Sequence, residues 1–250
     1  MHPATEFFKP LAQKLRAGRY EVGRLHYAQT LLYGVAQAWC MGIDRISALE
    51  FGVWKGGGLI DLHKAAQMLE GEVGVKTDIY GFDTFGGGLG KPQGHRDHPE
   101  IWFESQFELP NPDKVKKAMP EGVELVVGDV AETVAEFKKR EIAPIGFVSI
   151  DVDYYTSTPP CLSIFKGDDP EIYVPAVPMH VNDIEVNFTY NSWCGEALAI
   201  REFNDEMELR KIERAPDLYQ VSRLHACHIL DHPIRTGAKK PKMQLIMKPW

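Results

Sequence analysis

The chain has little cysteine: Cys40, Cys161, Cys194 and Cys227 are the only four in 250 residues. They lie far apart, with no CxxC pair and no short Cys/His cluster of zinc-finger spacing. Neither a disulfide framework nor a structural zinc module is indicated, and buried reduced thiols are expected. Long apolar runs are missing too. No stretch reaches the roughly 18 apolar residues of a membrane span, and the opening MHPATEFFKPLAQKLRAGRY lacks the apolar segment of a signal peptide. No membrane association is expected, and a cytoplasmic location follows by default. Positive charge is in deficit, with 28 Lys and Arg against 35 Asp and Glu, a formal net of −7. That balance argues against nonspecific binding to nucleic acid or anionic membrane. There is no internal repeat and no low-complexity tract.

What the chain does have is material for one core: 44% of residues are hydrophobic, 10% aromatic and 25% charged. Those figures suit one soluble α/β domain and leave little room for a second. Phe7, Phe8, Leu11 and Leu15, then Leu25, Tyr27, Leu31, Leu32, Val35 and Trp39, recur at helical spacing. Residues 1–42 therefore read as a helical cap. Beyond it, over 43–250, strands and helices alternate. RISALEFGV, DIYGFDTF, VELVVGDV, IGFVSIDVDYY and VPMHVNDI read as strands. LIDLHKAAQML, VAETVAEFKKR and GEALAIREFNDEMELRK read as helices. Successive β then α units predict a doubly wound, mostly parallel sheet with right-handed crossovers. YQVSRLHACHIL and KMQLIMKP read as two further strands, an antiparallel pair at one edge, for seven in all.

Ligands of such sheets sit beyond the carboxyl ends of the strands, where strand order reverses. The first such end is EFGVWKGGG, with Glu50, Gly52, Gly56, Gly57 and Gly58. Its glycines permit a tight turn and aim helix amides at an anion, either a carboxylate or a phosphate. The string is not a P-loop, because Leu59-Ile60 stands where Lys-Ser/Thr is needed, and its glycine spacing fails the dinucleotide fingerprint. It is similar to motif I of class I S-adenosylmethionine-dependent methyltransferases, E/D-x-G-x-x-x-G. A purely structural turn or another nucleotide remains open at this point. The second end places Asp83 at a strand tip, where a carboxylate can accept both hydroxyls of a ribose. The third is Gly128-Asp129-Val130, in which Asp129 can equally be a helix cap.

The fourth end, IDVDYYTST, puts Asp151 and Asp153 on the same face of an extended segment, because side chains alternate with period two, so their carboxylates can converge on one site. Two acids at the tip of a buried strand repel each other unless a proton or a cation relieves them. A divalent metal is the simpler remedy. Asn182 and Asp183, at the end of the next strand, would add the hard oxygen ligands that magnesium prefers. The alternative is an acid pair satisfied by loop amides and arginines.

Together, EFGVWKGGG, YGFDTFGG, GDV, IDVDYYTST and the Asn-Asp pair resemble the macrocin O-methyltransferase (TylF) family over roughly residues 45–210. The resemblance implies the class I methyltransferase, Rossmann-like fold, S-adenosyl-L-methionine as cofactor, Mg as metal and a small-molecule or sugar hydroxyl as acceptor. It implies cofactor contacts from Glu50, Gly52, Gly56, Gly57, Asp83 and Asp151, with Gly128, Asp129 and Val130 along the adenine. Asp151 and Asp183 would ligate the metal and Asp153 would be the general base. The family usually has two aspartates where this chain has Asn182 before Asp183, one negative charge fewer. A metal-independent methyltransferase, a non-catalytic S-adenosylmethionine-binding subunit and an NAD-dependent oxidoreductase are the rival readings.

The long stretch 85–112, rich in glycine and histidine, follows the ribose strand and reads as a lid insertion in which His95 and His98 are candidate substrate contacts. Tyr20, His26 and Tyr27 are candidates to close the pocket from the cap. The N-terminal helices are also candidates to pair protomers in a homo-oligomer.

Overall fold

The computed structural model describes residues 3–184, 189–215 and 223–244. Two helices come first, α1 (Pro3–Arg16) and α2 (Leu25–Met41). In α1, Phe8, Leu11, Ala12 and Leu15 recur every three or four positions and are buried, so one stripe faces the core. Phe7 stacks on Trp39 at 5.3 Å and Phe8 meets the same ring edge-on at 5.5 Å, fixing α1 against α2. Residues of α2 are buried along most of its length, and both helices share one hydrophobic core with the sheet.

Alternation then sets in: β1 (Arg45–Phe51), α3 (Gly57–Val73), β2 (Lys76–Asp83), α4 (Pro112–Ala118), β3 (Val123–Val127), α5 (Val130–Phe137) and β4 (Ile145–Ile150). The short α6 (Thr158–Leu162), β5 (Ala176–Val181), α7 (Gly195–Glu206), β6 (Arg210–Arg214), β7 (Leu224–Ile229) and α8 (Pro233–Thr236) complete the described strands and α-helices, beside four short 3-10 turns. The seven strands form one sheet in the order β3-β2-β1-β4-β5-β7-β6. β3 through β5 pair parallel, and β7 runs antiparallel to both of its neighbours. β4 is buried throughout and β1 at all but its first residue, the signature of central parallel strands covered on both faces. The doubly wound, mostly parallel sheet with an antiparallel edge is therefore present.

One element differs from the sequence expectation. The antiparallel partner of β7 is β6, whose first residues, Arg210 and Lys211, had the periodicity of a continuing helix. The helix ends at Glu206, and the Asn204 side chain bonds both the carbonyl and the amide of Ile212 at 2.7 Å. Pairing opposite Cys227 buries Ile212, and that tertiary gain outweighs local helical preference. Most of the expected strand KMQLIMKP lies outside the described residues. Strand order reverses between β1 and β4, and the register sets Glu50 opposite both Gly81 and Ser149, so the carboxyl ends of the central strands finish level.

Candidate functional site

A cavity of about 720 Å³ opens at that reversal, beyond the carboxyl ends of β1 to β5. Glu50, Gly52, Gly57, Asp83, Gly128, Asp129, Val130, Asp151, Asp153, Asn182 and Asp183 all line it, whereas Gly56 does not.

The turn after β1 explains its own glycines. Gly52 has φ +87°, and a Cβ there would stand 1.8 Å from the Asp151 carbonyl oxygen. At Gly58 a Cβ would stand 1.8 Å from Glu50 Oε1. The β1 turn thus passes against the end of β4, and α3 lies directly on the Glu50 carboxyl, with only hydrogen between them.

Asp83 braces this turn. Its Oδ2 accepts the amides of Val53 (2.9 Å) and Trp54 (2.8 Å), and its Oδ1 accepts that of Phe85 (2.7 Å). A carboxylate retains lone pairs beyond these, so facing the cavity and bracing the loop are compatible. Asp129 is the N-cap of α5, accepting Ala131 N–H at 2.8 Å, while Gly128 and Val130 flank it on the cavity wall.

The acidic pair is arranged differently from simple strand alternation. β4 stops at Ile150, and Asp153 sits at φ +61°, so the two carboxylates do not share a face by continued pleating. They converge because the chain turns: Asp153 and Asp183 line the same cavity, and Asn182 Nδ2 donates to Asp151 Oδ1 at 2.7 Å. Burial, then the charge of Asp183 and Asp151, pushes Asp153 up to about 9. Burial first, then Asp151, takes Asp183 to about 7. Asp151 is also raised, chiefly by burial. Behind them Glu196, fully buried in the first turn of α7, accepts the Asp183 amide at 2.8 Å, and burial raises it well above the carboxylate range.

The donor chemistry suits a hard divalent cation: Asp151 and Asp183 present carboxylates, and Asp183 Oδ2 is buried with no hydrogen-bond partner. Asn182 is turned the other way, its nitrogen towards Asp151 and Asp183 and its oxygen accepting from Arg223. Without a cation that orientation is the favourable one, since a flipped amide would set oxygen against carboxylate and NH2 against guanidinium. Among the described residues, no group of three or more His, Cys, Asp and Glu side chains stands ready to hold a metal.

On the first-strand side, Glu50 is 1% exposed and burial pushes it up to about 8. Tyr27 donates to Glu50 Oε1 at 2.8 Å and bonds Ser149 Oγ at 2.8 Å. Of the cap residues singled out by sequence, Tyr27 is buried behind Glu50, His26 packs against His180 at 4.5 Å, and Tyr20 donates to Glu72. None of the three lines the cavity; Arg24 does. An arginine just before an apolar helix reads as an ordinary solvated charge, so no local signal marks it.

Residues of 85–112 form one wall, with Leu89, Lys91, Trp102 and Phe107 among them. His98 is instead buried against Tyr190, its Nδ1 at 2.8 Å from Glu100, and neither it nor His95 faces the cavity. Phe103 is exposed. The four cysteines are free. Among the described residues no helix is long and apolar enough to cross a membrane.

No protein-family model matches the chain, and no curated protein does either. Solved structures do. CalS11, a calicheamicin methyltransferase, is similar with a TM-score of 0.52 and 21% identity, covering 90% of this chain and 91% of that one. An apo structure of CalS11, described as a TDP-rhamnose 3′-O-methyltransferase, gives 0.45 and 19%, covering 90% and 92%. An O-methyltransferase from Bacillus cereus in complex with SAH gives 0.45 and 13%, covering 89% and 90%. With its strand order and antiparallel β7, the chain has the class I methyltransferase fold.

Proposed function

We propose that this protein transfers the methyl group of S-adenosylmethionine to a hydroxyl of a small-molecule or sugar-bearing acceptor. The observation that carries the reading is the convergence on one cavity, at the strand-order reversal, of the glycine turn, Asp83, the Gly128-Asp129-Val130 corner and the Asp151, Asp153 and Asp183 carboxylates. The turn and Asp83 would hold the methionyl and ribose parts, and the corner would hold the adenine. The acidic side suits a sulfonium cation. CalS11, of the same fold, is a calicheamicin methyltransferase.

In the reaction the acceptor oxygen attacks the methyl carbon from behind the sulfur, at about 3 to 3.5 Å in a near-attack geometry. The C–O bond forms, the S–CH3 bond breaks with its electron pair going to sulfur, and the hydroxyl proton leaves to a base. Asp153 is the proposed base. Among the carboxylates as they stand it holds a proton at neutral pH, so it must lose that proton before it can accept one. Mg held by Asp151 and Asp183, with Asn182 after an amide flip, would supply positive charge that lowers the pKa of both Asp153 and the acceptor hydroxyl. A metal-independent variant is favoured by two observations: Arg223 already engages Asn182, and Arg24 lines the cavity. Orientation and proximity would then carry the rate.

The test is calorimetric titration with S-adenosylhomocysteine, with NADH as control, followed by methyl transfer from labelled S-adenosylmethionine to a panel of hydroxylated acceptors. Micromolar binding of S-adenosylhomocysteine is expected, with no NADH binding; the reverse pattern overturns the reading. Activity that survives chelator and the Asp151→Ala substitution would remove the metal and leave the cofactor assignment standing.

A further inference from the structure

Arg24 is the last residue before α2, far in sequence from the strand ends, yet it lines the cavity. Its Nη1 lies 3.2 Å from the Tyr27 hydroxyl and 3.9 Å from Glu50 Oε1, and its guanidinium sits 5.1 Å from the centre of the Tyr27 ring. Its Nη2 is 3.9 Å from where a Cβ of Gly57 would be. Gly57 opens the 17-residue α3, whose N-terminus has no side-chain cap. Guanidinium and helix amides therefore face the same corner of the cavity, and each favours an anion. Beside them, Glu50 Oε2 is buried with no hydrogen-bond partner, on a carboxyl that itself lines the cavity. A buried oxygen left open is costly unless a ligand group fills it, and an ammonium beside Glu50 would displace the proton that burial keeps on its carboxyl. One corner thus offers a seat for an anion next to a seat for a cation.

Resting on the reading of the cavity as an S-adenosylmethionine site, we propose that Arg24 is a cofactor-binding residue. Arg24 and the α3 N-terminus take the α-carboxylate of the methionyl end, and Glu50 takes its α-ammonium. A zwitterion is the ligand chemistry that satisfies both halves of the corner at once. Of the lysines on the wall, Lys55 is already engaged, its Nζ 4.0 Å from the Trp54 ring centre. Tyr27 is then a positioning residue, since it holds Glu50 from behind and carries Arg24 on its ring. The helical cap becomes part of the cofactor site.

Two probes separate this proposal from the reading beneath it. S-adenosylhomocysteine carries the amino-acid end, and 5′-methylthioadenosine keeps the nucleoside and sulfur without it. Calorimetry on the full chain should show Arg24→Met weakening S-adenosylhomocysteine tenfold or more while 5′-methylthioadenosine changes less than twofold. Glu50→Gln should show the same selectivity. Arg24→Lys, which keeps the charge but loses the fork, should weaken S-adenosylhomocysteine more than 5′-methylthioadenosine but less than Arg24→Met does, and that selectivity carries the test should Arg24→Met fold poorly. Equal weakening of both probes, or unchanged S-adenosylhomocysteine binding, overturns the role of Arg24 and leaves the cavity assignment intact. Binding of neither probe by the unaltered protein overturns the cavity assignment and this proposal with it.

Discussion

Single residues here do two jobs, and Asp83 shows why substitution should be costly. Three backbone amides converge on its two oxygens, so both must be acceptors. In Asp83→Asn one side becomes NH2 facing N–H donors. Stability should fall by about 1 to 3 kcal/mol as those amides lose their partner. Affinity for S-adenosylhomocysteine should drop at least tenfold, because the Val53-Trp54 turn relaxes. Urea denaturation and calorimetry check the two parts, and wild-type values in either would sink that part. Glu50 makes a pH prediction. Its folded pKa of about 8 lies above the ordinary carboxylate value of 4.5, so between the two the folded chain holds a proton that the unfolded chain releases. Stability is unaffected by this group below the unfolded value and is lost as pH rises towards 8. Wild-type protein should therefore lose more stability between pH 5 and pH 8 than Glu50→Gln, which mimics the protonated form. Parallel pH profiles for the two would contradict the shift.

At the scale of elements, α2 is tied to the sheet by polar as well as apolar contacts. The Tyr27 hydroxyl links the helix to β1 through Glu50 and to β4 through Ser149. Tyr27→Phe keeps the ring in the core and removes that link, leaving a buried carboxyl and a buried hydroxyl each short of a partner. A loss of about 1 to 3 kcal/mol is expected, seen as a lower urea midpoint at unchanged slope. A midpoint equal to wild type would show that water replaces the hydroxyl. The β6 case runs the other way. Residues 207–211 carry a pattern compatible with helix, and the sheet edge takes the segment because pairing with β7 buries Ile212 and the Asn204 side chain satisfies its backbone.

For the whole molecule, the segment 85–112 and the cap bound the cavity from separate parts of the chain. Tyr154 donates to the Gly90 carbonyl at 2.8 Å and Asp97 accepts the Thr156 amide at 2.9 Å, so the segment is fastened to the loop that follows Asp153. If this wall acts as a lid, amide exchange within 86–109 should slow several-fold when S-adenosylhomocysteine is added, with smaller change in β4. Exchange that is indifferent to ligand would leave the segment as a fixed wall.

Sequence alone determined the class of fold and the strand ends where chemistry gathers. Strand patterns and glycine turns are local, and the strings EFGVWKGGG and YGFDTF carry their own geometry. Cap formation by Asp129 was legible for the same reason, as one of two open readings. Tertiary structure decided what distance in the chain conceals. Tyr27 and Ser149 are 122 residues apart and in contact, and Arg24 reaches Glu50 only because α2 packs across the sheet. It also decided that Asp151 and Asp153 meet through a turn at positive φ rather than through pleating, and that Asn182 gives its nitrogen to the carboxylates. Those outcomes follow from long-range packing and from charges settling against one another in a buried site, which no local pattern records.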